Sequence, residues 1–313
     1  NKEQVILFQN RRGYSPIVEC TTCGVSPQCP NCDVSLTYHQ HKDQLRCHYC
    51  GYSMAMLISC LACGSETLDS KGFGTEQIEE ELKELFPNHS VARMDQDTTK
   101  GKHAYAKLIE RMEDKDIDIL VGTQMLAKGL DFRDVSLVGV MNADNLLNFP
   151  DFRAHERSFQ LLQQVAGRAG RTQKRGKVII QSYNPYHQIL RQVSTNDYEG
   201  MYKEQTEERY QFKYPPHYRI IKITVKHRNF ITMDKASKWF AEVLKMPLKE
   251  HVLGPVSPPV GRIRNEFITH ILVKIPKESS LSKTKGYILK AQQRFLAVKE
   301  FSRVKLTVDV DNY

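Results

Sequence analysis

The sequence predicts an α/β lobe that is interrupted near its start by a cysteine-rich metal module and followed by a small, basic α+β domain. Three observations support this prediction: helices alternate with apolar strands after the cysteines, all eight cysteines lie within one short segment, and the last third has the element order β-α-β-β-α-β. We therefore assign residues 1–19 and 64–212 to the lobe, 20–63 to the metal module and 213–313 to the C-terminal domain.

The eight cysteines form four C-x-x-C pairs in turn-like contexts: Cys20/Cys23, Cys29/Cys32, Cys47/Cys50 and Cys60/Cys63. A C-x-x-C turn lets two thiolates converge on one cation, so eight thiolates supply two tetrahedral sites. Four tandem pairs are too many for one redox couple, and the spacing typical of iron–sulfur clusters is absent. The sequence therefore predicts two structural zinc ions, with no open position for a catalytic water.

The four pairs can combine into two sites in an adjacent, a crossed or a nested way. The adjacent pairing leaves only five residues between the first two pairs, which is a tight loop. The stretch SLTYHQHKDQLR predicts a β-hairpin, and a hairpin with a C-x-x-C turn at each end is a zinc ribbon. We therefore favour the nested pairing, with zinc 1 bound by Cys20, Cys23, Cys60 and Cys63, and zinc 2 by Cys29, Cys32, Cys47 and Cys50.

The segment after the cysteines alternates helices and strands. Residues 75–86 place apolar side chains on one helical face and acidic ones on the other, and Thr75 is a plausible N-cap. The next predicted elements are a strand at 90–94, a helix at 103–112, strands at 117–121 and 135–141, a helix from about 152 to 166 and a strand at 177–183. This alternation is typical of a parallel sheet with helices on both faces.

Two loops of the lobe carry residue types suited to phosphate chemistry. The first, ILVGTQMLAKGLDF at 119–132, leaves a strand through small residues that let the backbone approach phosphate closely. The second, QVAGRAGR at 164–171, sets Arg168 and Arg171 three residues apart, each after a glycine. Planar guanidinium groups donate two parallel hydrogen bonds to phosphate oxygens, so this pair is suited to a polyphosphate.

The C-terminal domain has the split βαβ order. Its predicted elements are a strand at 220–227, a helix at 234–245, strands at 252–255 and 267–276, a helix at 283–300 and a strand at 304–310. Residues 213–313 carry 20 Lys and Arg against 8 Asp and Glu, which favours nucleic acid as a partner over a merely solvated basic face. The candidate phosphate contacts are Arg262, Arg264, Lys274 and Lys305.

These motifs together resemble one family. NRRGY at 10–14, the four C-x-x-C pairs, GTEQ at 74–77 and the two loops, in this order, are similar to the PriA family of bacterial replication-restart helicases. The two loops look like motifs V and VI of superfamily 2 helicases. The resemblance runs from about Phe8 to the C-terminus. It implies a RecA-like parallel-sheet lobe with an inserted double-zinc module, bound in the nested pattern, and a DNA-binding C-terminal domain.

The resemblance also implies roles for particular residues. Arg168 and Arg171 would face the γ-phosphate of ATP, with Arg171 as the arginine finger. Gln164 has either a polar role in the nucleotide site or a packing role. The remaining expectations are nucleotide-cleft positions for Gly129 and Asp131, and contact with the DNA backbone, or coupling of DNA to ATP, for Thr123 and Gln124.

By this resemblance, the chain is the C-terminal part of an ATP-dependent 3′-to-5′ DNA helicase that recognises stalled or abandoned replication forks and restarts replication by primosome assembly. The expected partners are branched or single-stranded DNA, single-stranded DNA-binding protein, and primosome and helicase-loading proteins. We expect a bacterial, cytoplasmic, nucleoid-associated protein without a membrane partner.

ATP and Mg²⁺ are expected only in a longer protein. The 313 residues contain no G-x-x-x-x-G-K-[ST] loop and no D-E-x-H box, so we expect this chain alone not to hydrolyse ATP. The alternative is a non-catalytic, nucleic-acid-binding zinc-ribbon scaffold with a degenerate lobe. The joint presence of Gly129, Asp131, Arg168 and Arg171 favours the enzyme, because a scaffold has no need for them together.

Overall fold

The computed structural model describes residues 3–9, 17–39, 43–71, 74–95, 98–99, 101, 103–127, 132, 134–170 and 176–311. These residues form two compact units. The first comprises 1–18, 38–43 and 69–205, and the second comprises 19–37, 44–68 and 206–313. Within the described part, no helix is long and apolar enough to span a membrane. The predicted division into lobe, metal module and C-terminal domain stays a prediction.

The strands, in chain order, are β1 Gln4–Gln9, β2 Ile17–Cys20, β3 Thr37–His39, β4 Gln44–Arg46, β5 Ser53–Ala55, β6 Leu68–Lys71, β7 Val91–Met94, β8 Ile119–Gly122, β9 Val135–Met141, β10 Lys177–Ile180, β11 Tyr218–His227, β12 Val252–Val256, β13 Arg262–Ile263, β14 Glu266–Pro276 and β15 Lys305–Val310. The α-helices are α1 Thr75–Leu85, α2 Ala104–Glu113, α3 Asp144–Leu147, α4 Ala154–Ala166, α5 Gln188–Thr195, α6 Tyr198–Gln211, α7 Phe230–Leu248 and α8 Leu281–Ala297.

A parallel five-stranded sheet forms the centre of the first unit, with the order β10-β9-β1-β8-β7. In the register, Phe8 lies opposite Gly122 of β8 and opposite Val140 of β9. All four residues of β8 are buried, as expected for a strand with covered faces. The predicted RecA-like parallel sheet is confirmed.

Helix α1 begins differently from the prediction. Its N-cap position is Gly74, and Thr75 is the first helical residue. The Thr75 side chain is fully buried, and its hydroxyl donates to the Asp95 carboxylate at 2.8 Å. The prediction of Thr75 as the N-cap was therefore wrong, because a buried carboxylate just after β7 takes the hydroxyl that would otherwise cap the helix.

The C-terminal domain is built on an antiparallel sheet with the order β12-β14-β11-β15, and β13 pairs with β14. Strands β11 and β14 pair over ten residues, from Tyr218 opposite Pro276 to His227 opposite Phe267. Helices α7 and α8 supply the apolar side chains that pack on this sheet. Trp239 of α7 lies 5.9 Å, ring centroid to ring centroid, from Phe295 and also from Phe301. The predicted split βαβ arrangement is confirmed.

The cysteine-rich segment forms a third sheet of short strands in the order β5-β4-β3-β2-β6. Strands β3 and β4 are neighbours at the position of the predicted hairpin, and β4 pairs with β5 with Leu45 opposite Met54. Leu36 and Leu45 are fully buried and supply a small apolar core. A module of this size has little apolar area to bury, so we expect its fold to depend on metal binding.

Candidate zinc centres and nucleotide and DNA sites

The cysteine sulfurs converge in two groups of four. Among the described residues, the groups that could hold a metal ion are Cys20, Cys23, Cys60 and Cys63 (site 1), and Cys29, Cys32, Cys47 and Cys50 (site 2), each with its sulfurs within 4.8 Å of one another. This is the nested grouping. We call the four C-x-x-C turns knuckles 1 to 4 in chain order, so knuckles 1 and 4 form site 1, and knuckles 2 and 3 form site 2.

The distances within each group fit a tetrahedral zinc ion. Sulfur–sulfur distances are 3.6 Å for Cys20 to Cys63 and 3.5 Å for Cys29 to Cys50. Zinc–sulfur bonds of about 2.3 Å separate tetrahedral sulfurs by about 3.8 Å. All eight cysteines are free of disulfides. The donor set is therefore suited to two closed structural zinc sites, which leave no position open for a reacting water.

Hydrogen bonds lower the pKa of Cys20 and Cys63 in site 1 and of Cys50 in site 2. The Ser65 hydroxyl, 3.1 Å from the Cys20 sulfur, lowers the pKa of that thiol to about 5. In site 2, the Tyr52 backbone N–H donates to the Cys50 sulfur at 3.4 Å and lowers its pKa to about 7. Because zinc binds thiolates, each site offers a sulfur that is at least partly ionised at neutral pH.

The first predicted phosphate loop follows β8. Gly122 ends this strand at a place where a Cβ would lie 2.7 Å from the Met94 carbonyl oxygen, so only glycine fits. Thr123 is buried, and Gln124 begins a short 3-10 turn and is exposed. The predicted nucleotide residues Gly129 and Asp131 lie outside the described residues, as does NRRGY at 10–14.

The second predicted loop follows α4. Gln164 is exposed on this helix, whereas Arg168, in the turn after it, is 8% exposed. The Gly170 N–H donates to the carbonyl of Val135, the first residue of β9. This turn therefore lies beside the amino end of β9, whereas Gln124 lies beyond the carboxyl end of β8. Arg171 lies outside the described residues.

The four C-terminal candidates for phosphate contacts all have partners inside the second unit. Arg262 pairs with Asp33 at 3.0 Å, and the Arg264 guanidinium donates to the Tyr49 carbonyl at 3.1 Å. Lys305 pairs with Glu266 at 2.6 Å, although its side chain is 65% exposed. Their contact with DNA stays a prediction.

Lys274, the fourth candidate, is nearly buried. Its ammonium group donates to the Phe212 carbonyl at 2.6 Å and lies 3.5 Å from the Tyr214 ring centroid. Burial, with a smaller effect of nearby Lys213, lowers the pKa of Lys274. This ammonium group therefore ties the segment before β11 to β14.

Comparison with known proteins matches three parts of the chain. Residues 29–54 match the PriA DNA helicase Cys-rich region domain, 67–173 the helicase conserved C-terminal domain, and 210–313 the primosomal protein N C-terminal domain. The chain is 42% identical to the replication restart protein PriA of Bacillus subtilis over 99% of its own length and 38% of that protein. The chain is homologous to the C-terminal part of PriA.

Other PriA proteins agree over similar spans. The chain is 41% identical to PriA of Synechocystis over 88% of its length and 34% of that protein, and 38% identical to PriA of Haemophilus influenzae over 98% of its length and 42% of that protein. It thus spans less than half the length of these PriA relatives. The resemblance inferred from the motifs is confirmed.

The structure shows two polar clusters that the sequence analysis missed. At site 1, the Ser65 hydroxyl lies 3.1 Å from the sulfurs of both Cys20 and Cys63. In the lobe, the buried Asp95 carboxylate accepts hydrogen bonds from Thr75 and, at 3.0 Å, from Arg93. A serine two residues after a C-x-x-C pair, and an aspartate directly after a strand, were the available signals.

Proposed function

We propose that this chain is the C-terminal part of an ATP-dependent 3′-to-5′ superfamily 2 DNA helicase that recognises stalled or abandoned forks and restarts replication by primosome assembly. One observation carries the proposal: a helicase C-terminal domain, a PriA zinc ribbon and a PriA C-terminal domain occur on one chain that matches PriA over 99% of its length. The fold of each part agrees with this assignment.

The proposed chemistry belongs to the lobe. Arg168 and Arg171 bind the γ-phosphate of ATP, with Arg171 as the arginine finger, and Gly129, Asp131 and Gln164 lie at the nucleotide. Charge develops on the transferred phosphoryl group in the transition state, and a guanidinium stabilises it. Thr123 and Gln124, which follow the carboxyl end of β8, contact the DNA backbone or couple DNA binding to ATP.

We further propose the remaining components from the same family assignment. The substrate is branched or single-stranded DNA, and Mg²⁺ accompanies ATP. Single-stranded DNA-binding protein, other primosome proteins and helicase-loading proteins are the partners, in the bacterial cytoplasm at the nucleoid. The two zinc ions hold the metal module and take no part in hydrolysis, because four thiolates fill each site.

The complete gene product tests the catalytic role. Arg171→Ala is expected to lower DNA-stimulated ATP hydrolysis by about 1,000-fold, the usual effect of losing an arginine finger. Arg157→Ala, on the exposed face of α4, is the matched control and should retain activity. ATP hydrolysis and duplex unwinding are the measurements, and wild-type rates in Arg171→Ala would refute the assignment.

The scaffold alternative makes the opposite prediction for the same assay. A non-catalytic zinc-ribbon protein would bind DNA but show no DNA-stimulated hydrolysis even as the complete gene product. The 313-residue chain alone is expected to bind DNA without hydrolysing ATP, because it has no phosphate-cradling G-x-x-x-x-G-K-[ST] loop. Turnover by this chain alone, sensitive to Arg171→Ala, would overturn that expectation.

A further inference from the structure

Knuckle 2 departs from the pattern of the other three knuckles. A glycine directly follows knuckles 1, 3 and 4, and these residues, Gly24, Gly51 and Gly64, have φ values of 73°, 81° and 75°. In knuckle 2 the equivalent residue is Asp33, which does not have a positive φ. A left-handed residue at this position turns the following backbone back toward the metal, and glycine adopts it without steric cost.

The hydrogen bonds of the three glycine knuckles follow from this turn. Each glycine N–H donates to the carbonyl of the first cysteine of its knuckle, at 2.8 to 2.9 Å. The next backbone N–H donates to the sulfur of the second cysteine: Val25 to Cys23, Tyr52 to Cys50 and Ser65 to Cys63. Such N–H donors stabilise a thiolate ligand and orient it toward its metal.

Knuckle 2 lacks both of these local bonds. The Asp33 N–H donates instead to the Arg262 carbonyl at 2.9 Å, and the Val34 N–H donates to the Cys32 carbonyl. The Cys32 sulfur receives its backbone hydrogen bond from the N–H of Arg264, at 3.3 Å, from 232 residues farther along the chain. The turn between β13 and β14 thus supplies the donor that the knuckle itself does not provide.

The same turn holds the rest of knuckle 2. The Arg262 guanidinium donates to the Asp33 carboxylate at 3.0 Å and to the Pro30 carbonyl at 3.1 Å. The Asn265 backbone N–H donates to the Asn31 carbonyl at 2.8 Å, and the Asn265 side-chain amide donates to the Asn31 side-chain oxygen at 3.0 Å. Asp33 stands where the other knuckles have glycine, and its carboxylate binds Arg262 of the C-terminal domain.

We propose that residues 262–265 of the C-terminal domain are a positioning element of zinc site 2, so that zinc retention there and docking of this turn on knuckle 2 stabilise each other. Site 1 receives its donors from its own knuckles and from Ser65, and does not depend on the turn. The inference rests on the proposed occupancy of both sites by zinc. Because linkage is reciprocal, loss of zinc 2 weakens the hold on the C-terminal turn by the same factor.

Zinc release from the complete protein tests this inference. The variant Arg262→Ala/Asn265→Gly removes the side-chain contacts with knuckle 2, while glycine keeps the positive φ of 60° at position 265. Lys235→Ala, which breaks the exposed ion pair to Glu300 elsewhere in the same domain, is the matched control. Adding Asp33→Gly restores a glycine knuckle and is the rescue variant. The measurement is the rate of zinc transfer to a chromogenic chelator, with circular dichroism as a check of folding.

We expect Arg262→Ala/Asn265→Gly to release one of its two zinc ions about 10-fold faster than wild type, the usual effect of losing support around metal ligands. The other zinc and the Lys235→Ala control should keep wild-type rates, and Asp33→Gly should slow the fast phase again. Repeating the series in a Cys20→Ala background, which disables site 1, assigns the fast phase to site 2.

Two results would overturn the inference: equal release rates in wild type and variant, or equal acceleration of both zinc ions. If adding Asp33→Gly made zinc release faster still, the idea that the turn does in knuckle 2 what glycine does in the other knuckles would also be wrong. Wild-type protein with fewer than two zinc ions would instead refute the two-site assignment, and with it everything built on that assignment. Zinc content is measured before release, so the two failures are distinguishable.

Discussion

The aspartate after β7 shows how one residue organises a corner of the lobe. Asp95 is 1% exposed, and its carboxylate accepts hydrogen bonds from the Thr75 hydroxyl, the Arg93 guanidinium and the Thr98 backbone N–H. It thereby ties the start of α1 to the end of β7. A buried charge is tolerated when its partners satisfy it, and it becomes costly when one of them is removed.

We expect Asp95→Ala to lower the free energy of unfolding by about 3 kcal/mol, because Arg93 and Thr75 lose a buried partner. Arg93 keeps Glu76 and Glu79, which limits the loss. Denaturant unfolding measures the change. Glu80→Ala, at an exposed position of α1, is the control and should change stability by less than about 0.5 kcal/mol. A similar change in both variants would contradict the role given to Asp95.

His270 predicts a pH effect on stability. Burial, together with the ammonium groups of Lys222 and Lys226, lowers the pKa of His270 below 6.5. The unfolded chain therefore takes up a proton more readily than the folded chain. We expect the contribution of His270 to the free energy of unfolding to be fully present above pH 6.5 and to be lost as the pH falls below that value. In His270→Gln this part of the pH dependence should disappear from denaturant unfolding curves. If the free energy of unfolding changed with pH equally in His270→Gln and in wild type, the role given to His270 would be wrong.

At the scale of elements, some features of the zinc module were predictable from the sequence and others were not. Short-range patterns, such as the C-x-x-C spacing and the hairpin between knuckles 2 and 3, predicted the module and its grouping. The partnership of Asp33 with Arg262 was not predictable, because the two residues are 229 positions apart and each resembles an ordinary surface charge. Likewise, Thr75 has the pattern of an N-cap, and only the folded lobe shows Asp95 beside it.

Double cysteine variants discriminate the three pairings. Under the nested grouping, Cys29→Ala/Cys50→Ala disables only site 2, so the protein should keep one zinc ion. Cys29→Ala/Cys60→Ala disables both sites and should keep none. Under the adjacent or the crossed pairing, Cys29→Ala/Cys50→Ala would remove ligands from both sites. Metal analysis of purified protein measures the outcome, and loss of both zinc ions from Cys29→Ala/Cys50→Ala would contradict the nested grouping.

Over the whole molecule, positive charge is concentrated in the C-terminal domain. Residues 20–63, the metal module, hold only two, Lys42 and Arg46, whereas residues 213–313 hold 20 Lys and Arg. Two sites of four thiolates each make the metal module still more negative. The charge pattern, visible in the sequence, predicted the basic domain; it could not show that Arg262 and Arg264 are engaged by the metal module.

DNA binding should therefore weaken steeply with salt, and the C-terminal domain should set the slope. We expect Lys305→Gln, which removes one exposed candidate phosphate contact of this domain, to reduce the slope of log affinity against log salt by about 0.9. Lys83→Gln on α1, which removes the same kind of charge from the lobe, is the control. Binding measured by fluorescence anisotropy at several salt concentrations gives both slopes. Salt-independent binding would refute an electrostatic role for this domain.

The packing of Trp239 against Phe295 and Phe301 has an optical consequence. Trp239 is the only tryptophan of the sequence, and it is partly buried against the core of the C-terminal domain. Its emission therefore reports the integrity of this one domain, without background from the lobe or the metal module. Cobalt(II) bound to the cysteines would add visible absorption from the metal module. With these two signals, one sample reports at separate wavelengths whether the metal module and the C-terminal domain unfold together or one after the other.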